Sequence, residues 1–291
     1  MKVIKELTFA KAYKKLLEVL LNEPEYITSP RNQKIHEFQN FTFEIMDPVS
    51  CLFKNERRSS QLKYISAELL WYLVGDNKAE FISRFSKFWK TIQNHDGTVN
   101  SAYGYLIFKE CYNPTQMNQW QWCYESLAKD KETRQAIMHF NKPWHQFSEN
   151  KDFVCTMYSN FLIRDNKLHM TVHMRSNDII LGLPTDIPFF VILQLNMWNL
   201  LRELYPELEI GTYTHIVNSM HLYERNHELV KEMLEHEFEP HDLPKDAEKL
   251  LTYKGDTTEF INDMYWAVSK RGFPREPQTE METFIRDQLI K

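Results

Sequence analysis

The thiol of Cys155, followed across a short hairpin by Arg175 and Ser176, is the grouping in this sequence best suited to covalent chemistry. The stretch Asp152 to Ile187 reads as a β-hairpin followed by a polar segment and a loop. Asp152 to Arg164 alternates as a strand, with Phe153, Cys155, Met157, Phe161 and Ile163 on one face. Asp165-Asn166 is turn chemistry, because Asx residues tolerate the dihedrals of a tight hairpin. Lys167 to Arg175 returns with Leu168, Met170, Val172 and Met174 on one face and His169, Thr171, His173 and Arg175 on the other. With a two-residue loop, Thr156 pairs with Arg175 and Cys155 lies opposite Ser176. The thiol then sits beside a guanidinium and a hydroxyl, and a nearby cation favours the nucleophilic thiolate.

Other side chains have two readings each. Glu68 lies in the most apolar part of a helical segment, next to Leu69, Leu70 and Trp71. It is either on a solvent stripe or aimed into a pocket, where burial would raise its pKa and suit it to proton transfer. Asp186 lies just before the helix that starts at Pro188, where N-capping is its ordinary role. His221 and Tyr223 are two apart and share a face on an extended segment. Arg31, just before a strand, is by default a solvated loop residue. Trp89 and Tyr103 are by default packing residues, although Tyr103-Gly104-Tyr105 could line a cavity.

The elements that must position these groups are legible in outline. Phe9 to Asn22 repeats apolar residues at helical spacing, with lysines on the opposite face. Ser29 to Asn32 is a turn and Glu37 to Ile45 a strand. Ser60 to Val74, Lys78 to Gln93 and Met117 to Lys129 read as helices. Thr133 to Met138 enters a short strand, and Asn141 to Asn150 is a loop. Pro188 to Tyr205 is a long helix, apolar on most sides and therefore central. Glu209 to Val217 is a strand, and a helix runs from Glu224 to about His236. Residues 1–236 form one domain on this reading. Residues 237–291 form a mixed appendage, with turn signals at Pro240, Pro244, Gly255 and Gly272-Phe273-Pro274.

At 291 residues with 43% hydrophobic content, the chain can bury a large core. The net charge of -5 gives no electrostatic case for duplex nucleic acid, so none is expected as a partner. Cys51, Cys111, Cys123 and Cys155 make no C-x-x-C pair and are too dispersed for a disulfide framework. A metal site is not expected, and a reduced, cytoplasmic setting is. The N-terminus lacks the apolar run of a signal peptide, and no segment has 18 uninterrupted apolar residues.

In several places the chain resembles the thymidylate synthase family, which includes phage deoxycytidylate hydroxymethylases. The likeness rests on DFVCT, on the spacing from Cys155 to Met174-Arg175-Ser176-Asn177-Asp178, and on the LGLP that follows. Ala67-Glu68-Leu69-Leu70-Trp71 with Gly75-Asp76 is similar to the family's glutamate helix, Val99 to Gly104 to its cavity tyrosine segment, and His221-Leu222-Tyr223 to its His-x-Tyr site. FLIRDNK and MRSND are especially similar to the hydroxymethylases. The resemblance implies an α/β (α+β) fold with a large twisted mixed sheet, surrounding helices and a homodimer through that sheet. It implies that Cys155 adds to C6 of a pyrimidine nucleoside monophosphate, so that C5 attacks 5,10-methylenetetrahydrofolate. Glu68 would manage proton transfers through ordered water. Asp178 would hold the pterin, with Trp89 and Tyr103 as walls. Arg31 and Arg175 would bind the 5′-phosphate with Arg134 reaching in from the partner. Ser176 lies near the sugar, whose 3′-hydroxyl His221 and Tyr223 would bind. Asn177 would act from behind the site.

The departures from the synthase pattern point to the base. Asp186 stands where synthases have asparagine and hydroxymethylases have aspartate. Cytosine offers an acceptor at N3 and a donor at its 4-amino group, which a protonatable carboxyl matches. Asp186 is thus expected to select cytosine and to help protonate N3. Gln135 replaces an arginine of a family pair, Thr156 a histidine and Met174 a glutamine, and the tail Arg286 to Lys291 does not match the usual synthase C-terminus. The leading expectation is hydroxymethylation of dCMP. The alternatives are a dCMP methylase, a CMP hydroxymethylase, a dUMP-using synthase and, in a different class, a silent nucleotide- or RNA-binding relative.

Overall fold

A computed structural model describes residues 3–111, 114–270, 272 and 274–290. Phe273, within a turn expected from the sequence, and Lys291, the last residue of the tail, lie outside the described residues. The elements run β1 (Val3–Glu6), α1 (Phe9–Asn22), β2 (Tyr26–Thr28), β3 (Ile35–Ile45), β4 (Leu52–Lys54), α2 (Leu62–Leu73), α3 (Ala79–Ile82), α4 (Phe88–Ile92), α5 (Tyr103–Phe108), α6 (Gln119–Lys129) and β5 (Ile137–His139). They continue as β6 (Thr156–Arg164), β7 (Lys167–Met174), β8 (Asn177–Asp178), α7 (Leu183–Leu201), β9 (Glu209–Tyr223), α8 (His227–Leu234), β10 (Glu239–His241), α9 (Glu259–Lys270) and α10 (Glu280–Leu289).

The sheet order is β1-β3-β9-β7-β6-β5, with β2 on β3 and β8 on β9. It is mixed: β9 pairs parallel to β7 and β8 but antiparallel to β3. This is the expected α/β architecture on a large mixed sheet. One face is dry, because α7 is apolar around nearly its whole circumference and packs on β7 and β9. α1 keeps its amphipathic face on β1 and β3, burying Phe9, Tyr13, Leu16 and Leu20. The other face carries Tyr158, Asn160, His169, Thr171 and His173, all half-buried in the single chain.

Several elements differ from their sequence reading. Strand β6 begins at Thr156, so Asp152 to Cys155 is an irregular approach to it. A bulge follows: Thr156 pairs with Met174, Tyr158 pairs with His173, and Met157 is the extra residue. The register at this end therefore slips by one from the simple hairpin, and Arg175, not Ser176, stands beside Cys155. The Arg175 N–H donates to the Cys155 carbonyl at 2.9 Å. Met157 leaves the buried face, while Phe161 and Ile163 stay on it. Lys78 to Gln93 breaks into α3 and α4, because the bonds from Arg84 and Phe85 reach back only three residues and tighten the chain into turns. Helix α7 starts at Leu183, using Pro184 rather than Pro188 as its N-terminal proline. Asp186 therefore lies inside the first turn and caps nothing. β9 runs on to Tyr223, and a 3-10 turn separates it from α8.

Residues beyond 236 share the same core. β10 pairs with β4, and Phe238, Phe260, Met264, Met281 and Ile285 join the buried cluster. Asn196 of α7 ties this segment down: its amide donates to Ala247 O and accepts from the N–H groups of Leu250 and Leu251. α9 and α10 both pack on α2. Among the described residues, no helix is long and apolar enough to cross a membrane.

Candidate active site

The approach to β6 is fixed from three sides. Asp152 is buried, and its carboxylate accepts from the Ser101 N–H at 2.7 Å and from the Ser101 hydroxyl. The Asn141 amide donates to the Val154 carbonyl at 2.8 Å. Arg175 donates from Nε to Val154 O at 3.1 Å and from Nη2 to Phe153 O. The same Nη2 lies 3.4 Å from Cys155 Sγ. The cation expected beside the thiol is present, and it also braces the backbone that carries the thiol. Burial nevertheless raises the thiol pKa, Asp186 and Asp152 raise it further, and Arg175 and Arg31 pull it down.

Two further carboxylates lie in the centre, Glu68 buried and Asp186 half-buried and near enough to the thiol to raise its pKa. Glu68 sits on α2 with 6% of its surface exposed. Burial pushes its pKa up to about 8, the charge of Asp186 adds to this, and the Tyr64 hydroxyl opposes it by donating to Oε1 at 2.8 Å. Burial pushes Asp186 up to about 7, against a donated hydrogen bond from Asn177 Nδ2 to Oδ2 at 2.8 Å. The two groups sit close enough to feel each other's charge, so they resist ionising together.

Aromatic packing closes the space around them. Gly104 is required here: a Cβ on it would overlap the Tyr72 carbonyl, so only glycine lets α5 lie against the end of α2. That approach stacks Tyr103 on Tyr72 at 5.3 Å and 19°. Tyr103 is thereby brought within electrostatic reach of Asp186 and Cys155. Trp89 packs edge-on against Trp71, and its indole N–H donates to the Tyr64 hydroxyl at 2.9 Å.

β8 and β9 set the remaining groups. Asp178 pairs with His221, and Asp178 Oδ1 accepts from the Ile180 N–H at 2.8 Å, leaving Oδ2 free of that turn. His221 Nδ1 lies 3.2 Å from the Ser219 carbonyl. A carbonyl only accepts, so Nδ1 carries the proton and Nε2 is left as an acceptor. The His221 and Tyr223 rings meet edge-on at 5.1 Å, on one side as their spacing requires. Ser176 is half-buried between Arg175 and β8. Arg31 is exposed in a turn where it and Asn32 both have positive φ, 53° and 60°. Arg134 is separate from the cluster. It lies in an open groove with Trp122, Gln135 and His139, alongside the end of β6 away from Cys155. A second groove, of about 410 Å³, is lined by Lys63, Tyr64, Arg84, Phe85 and Gln288, and so has walls from α2 and α10.

The structure thus gathers Cys155, Arg175, Glu68, Asp186, Tyr103 and Trp89 around one centre. Asp178, His221 and Tyr223 stand on the adjoining strands β8 and β9, Ser176 in the link between β7 and β8, Arg31 at the edge and Arg134 outside. Sequence reasoning missed Tyr64 and Asp152. Tyr64 lies one helical turn before Glu68, a spacing that could have revealed it. Asp152 carried no comparable signal, because its partner Ser101 is remote in sequence.

The family model described as thymidylate synthase matches residues 12–266. The chain is 28% identical to the deoxycytidylate 5-hydroxymethyltransferase of Enterobacteria phage T4, over 74% of this chain and 86% of that protein. It is 27% identical to a thymidylate synthase of Fusobacterium nucleatum, over 68% and 70%. It is also 26% identical to a deoxyuridylate hydroxymethyltransferase of Bacillus phage SP01, over 72% of this chain and 56% of that protein.

Proposed function

Because the chain belongs to the thymidylate synthase family, whose reaction is one-carbon transfer to a pyrimidine, we propose that it hydroxymethylates dCMP at C5. The observation that carries the choice of base is Asp186, half-buried within electrostatic reach of Cys155 and Glu68, with desolvation raising its pKa to about 7. Asn177 holds its Oδ2 as an acceptor. The proton of the neutral acid then rests on Oδ1, which donates to N3 of cytosine, while Oδ2 also accepts from the 4-amino group. Uracil would place its own N3–H against that proton. A similar enzyme, from phage T4, is named for deoxycytidylate.

In this reading Cys155 attacks C6 as a thiolate, with proton transfer from Asp186 to N3 balancing the charge placed on the ring. Arg175 steadies the thiolate and presents its remaining donors to the 5′-phosphate, which Arg31 meets from the edge. Arg134 serves the partner subunit of a dimer formed through the half-buried sheet face. His221 Nε2 accepts from the sugar 3′-hydroxyl, with Tyr223 beside it and Ser176 nearby. The residues fit 5,10-methylenetetrahydrofolate. Asp178 Oδ2 is free of the turn made by Oδ1 and can take the pterin N–H groups, Trp89 and Tyr103 wall the centre, and the groove of about 410 Å³ opens beside Tyr64. Bound there, the folate supplies a one-carbon unit at the oxidation level of formaldehyde. Glu68, through ordered water, relays the proton lost from C5. A methylene remains on C5 once tetrahydrofolate, which takes up one proton, has left. Water adds to it and gives up a proton, N3 returns its proton to Asp186 as the C6–S bond breaks, and Cys155 leaves as thiolate. Residues 237–291 form the outer wall of the folate side through α10. The setting is cytoplasmic, and for a phage-encoded protein that of the host.

The test is incubation with methylenetetrahydrofolate and 5-tritiated dCMP, dUMP or CMP in parallel, counting released tritium and weighing the products. Release from dCMP with a hydroxymethyl product is expected. Release from dUMP alone, or from none of the three, overturns the reading; a methyl product from dCMP keeps the base and removes the water step.

A further inference from the structure

An indole N–H can only donate. Trp89 Nε1 donates to the Tyr64 oxygen at 2.9 Å, and the same oxygen lies 2.8 Å from Glu68 Oε1. The Tyr64 hydroxyl hydrogen is therefore not free to rotate toward Trp89, and it points at Oε1. Tyr64 is half-buried, and desolvation drives its own pKa well above the ordinary tyrosine value, so it keeps that proton throughout. Oε1 is held as an acceptor by this chain. Glu68 Oε2 makes no hydrogen bond among the described residues. From this geometry we infer that Trp89 and Tyr64 act as a positioning pair that dictates which oxygen of Glu68 carries the exchangeable proton: always Oε2, the oxygen turned away from Tyr64.

The inference rests on the proposed reaction only for its consequence. A glutamic acid that relays protons must present the protonated oxygen to the reacting centre in one orientation, not two. The titratable groups facing Glu68 are Asp186 from α7 and Tyr64 and Tyr72 on its own helix. Burial and Asp186 make Glu68 harder to ionise, Tyr64 makes it easier, and of these neighbours Tyr64 sets the asymmetry between the two oxygens. Trp89 then has a defined task beyond walling the centre. It locks the phenol rotor, and it does so from α4, the segment whose break from α3 turns the indole toward α2.

Isotope-edited infrared difference spectroscopy of the whole protein, across the pH range where Glu68 titrates, tests this without any substrate. The protonated Glu68 band is assigned by its loss in Glu68→Gln. In the wild type its C=O is Oε1, weakened by the Tyr64 hydrogen bond. Tyr64→Phe keeps the ring and removes the donor. The C=O band is expected at higher wavenumber and the titration midpoint about one unit higher, as befits the loss of one hydrogen bond to the ionised form. Trp89→Phe, which frees the rotor, should split or broaden the band with a smaller shift of the same sign. An unmoved band in Tyr64→Phe means that the proton sits on Oε1 and overturns the inference. These spectra stand whether or not any nucleotide is turned over, so failure of the inference and failure of the proposed reaction are read separately. If dCMP is the substrate, the pH profile of kcat in Tyr64→Phe moves with the infrared midpoint while the KM for dCMP stays within about two-fold; a KM change without the pH shift would indicate a packing role only.

Discussion

In the interior of the site, Glu68 is buried and Asp186 half-buried, and each carboxyl is held by one neutral donor, Tyr64 or Asn177. At its edge, Arg31 stands exposed on a turn of positive φ, and Tyr223 lies under the Arg225 guanidinium at 3.9 Å. The interior groups have their proton states set by the protein itself, before anything binds, through desolvation and fixed donors. The edge groups are solvated cations and rings whose main contribution arises when a ligand brings its own charge to them. Cys155 lies at the boundary, half-buried and pulled toward ionisation by Arg175 and Arg31. On the proposed reaction, the site separates bond chemistry, which needs preset protons, from substrate capture, which needs only charge.

The boundary residue gives the largest expected effect. Cys155→Ala should lower tritium release from dCMP by at least about 10⁴-fold, because no covalent route to activating C5 remains. Binding of dCMP, followed by calorimetry, should change by less than about ten-fold, since the alanine leaves Arg175 bound to the Phe153 and Val154 carbonyls. Retained turnover would end the mechanism.

Asp186→Asn tests the interior next, and changes base preference rather than overall capacity. The ratio of kcat/KM for dCMP over dUMP should fall by about 10² or more, because an amide can hydrogen-bond to cytosine N3 but has no acidic proton to transfer to it as Cys155 adds, and by turning over it matches uracil as well. An unchanged ratio would remove Asp186 as selector. The same variant has a stability signature. The folded pKa of Asp186 is raised above its ordinary value of 3.8 to about 7, so the unfolded chain ionises first. Its burial therefore costs nothing below about pH 4, and the protein loses stability as pH rises toward 7. Denaturant midpoints of the wild type should fall across that window, and those of Asp186→Asn should fall less.

The contrast between interior and edge also explains what could be read in advance. Helix α1 runs from Phe9 to Asn22 as its apolar period requires, and β7 alternates as written, because burial on one face enforces the period. The bulge at Met157 has no such signature. It adds one residue to β6, and that residue decides whether Arg175 or Ser176 faces the thiol. Asp186 was misplaced because two prolines, Pro184 and Pro188, could each have opened α7. Grouping Glu68, Cys155 and Asp186 came from family likeness. Their burial and raised pKa values come from tertiary packing against α5 and α7, which no local pattern encodes. Tyr64 was within reach of the spacing argument, yet a tyrosine beside apolar neighbours reads as core until its hydroxyl is seen to bond Glu68.

Arg31→Ala probes the edge and should give the smallest effect of the series. Arg31 lies in a solvent-exposed turn, so its attraction for a phosphate is screened by water and salt. The expected loss is about ten-fold in KM for dCMP, with kcat kept within about two-fold, which is the pattern of a group that holds ground state and transition state alike. The loss should shrink as ionic strength rises, because the wild type also forfeits this contact in salt. Arg31 does lower the Cys155 pKa, so a small alkaline drift of the pH profile should accompany the KM change. The two effects are read separately, the drift in the position of the pH profile and the phosphate contact in KM. If Arg31→Ala instead lowered kcat as strongly as KM rises, the edge would belong to the bond-making machinery and the division between the two regions would fail.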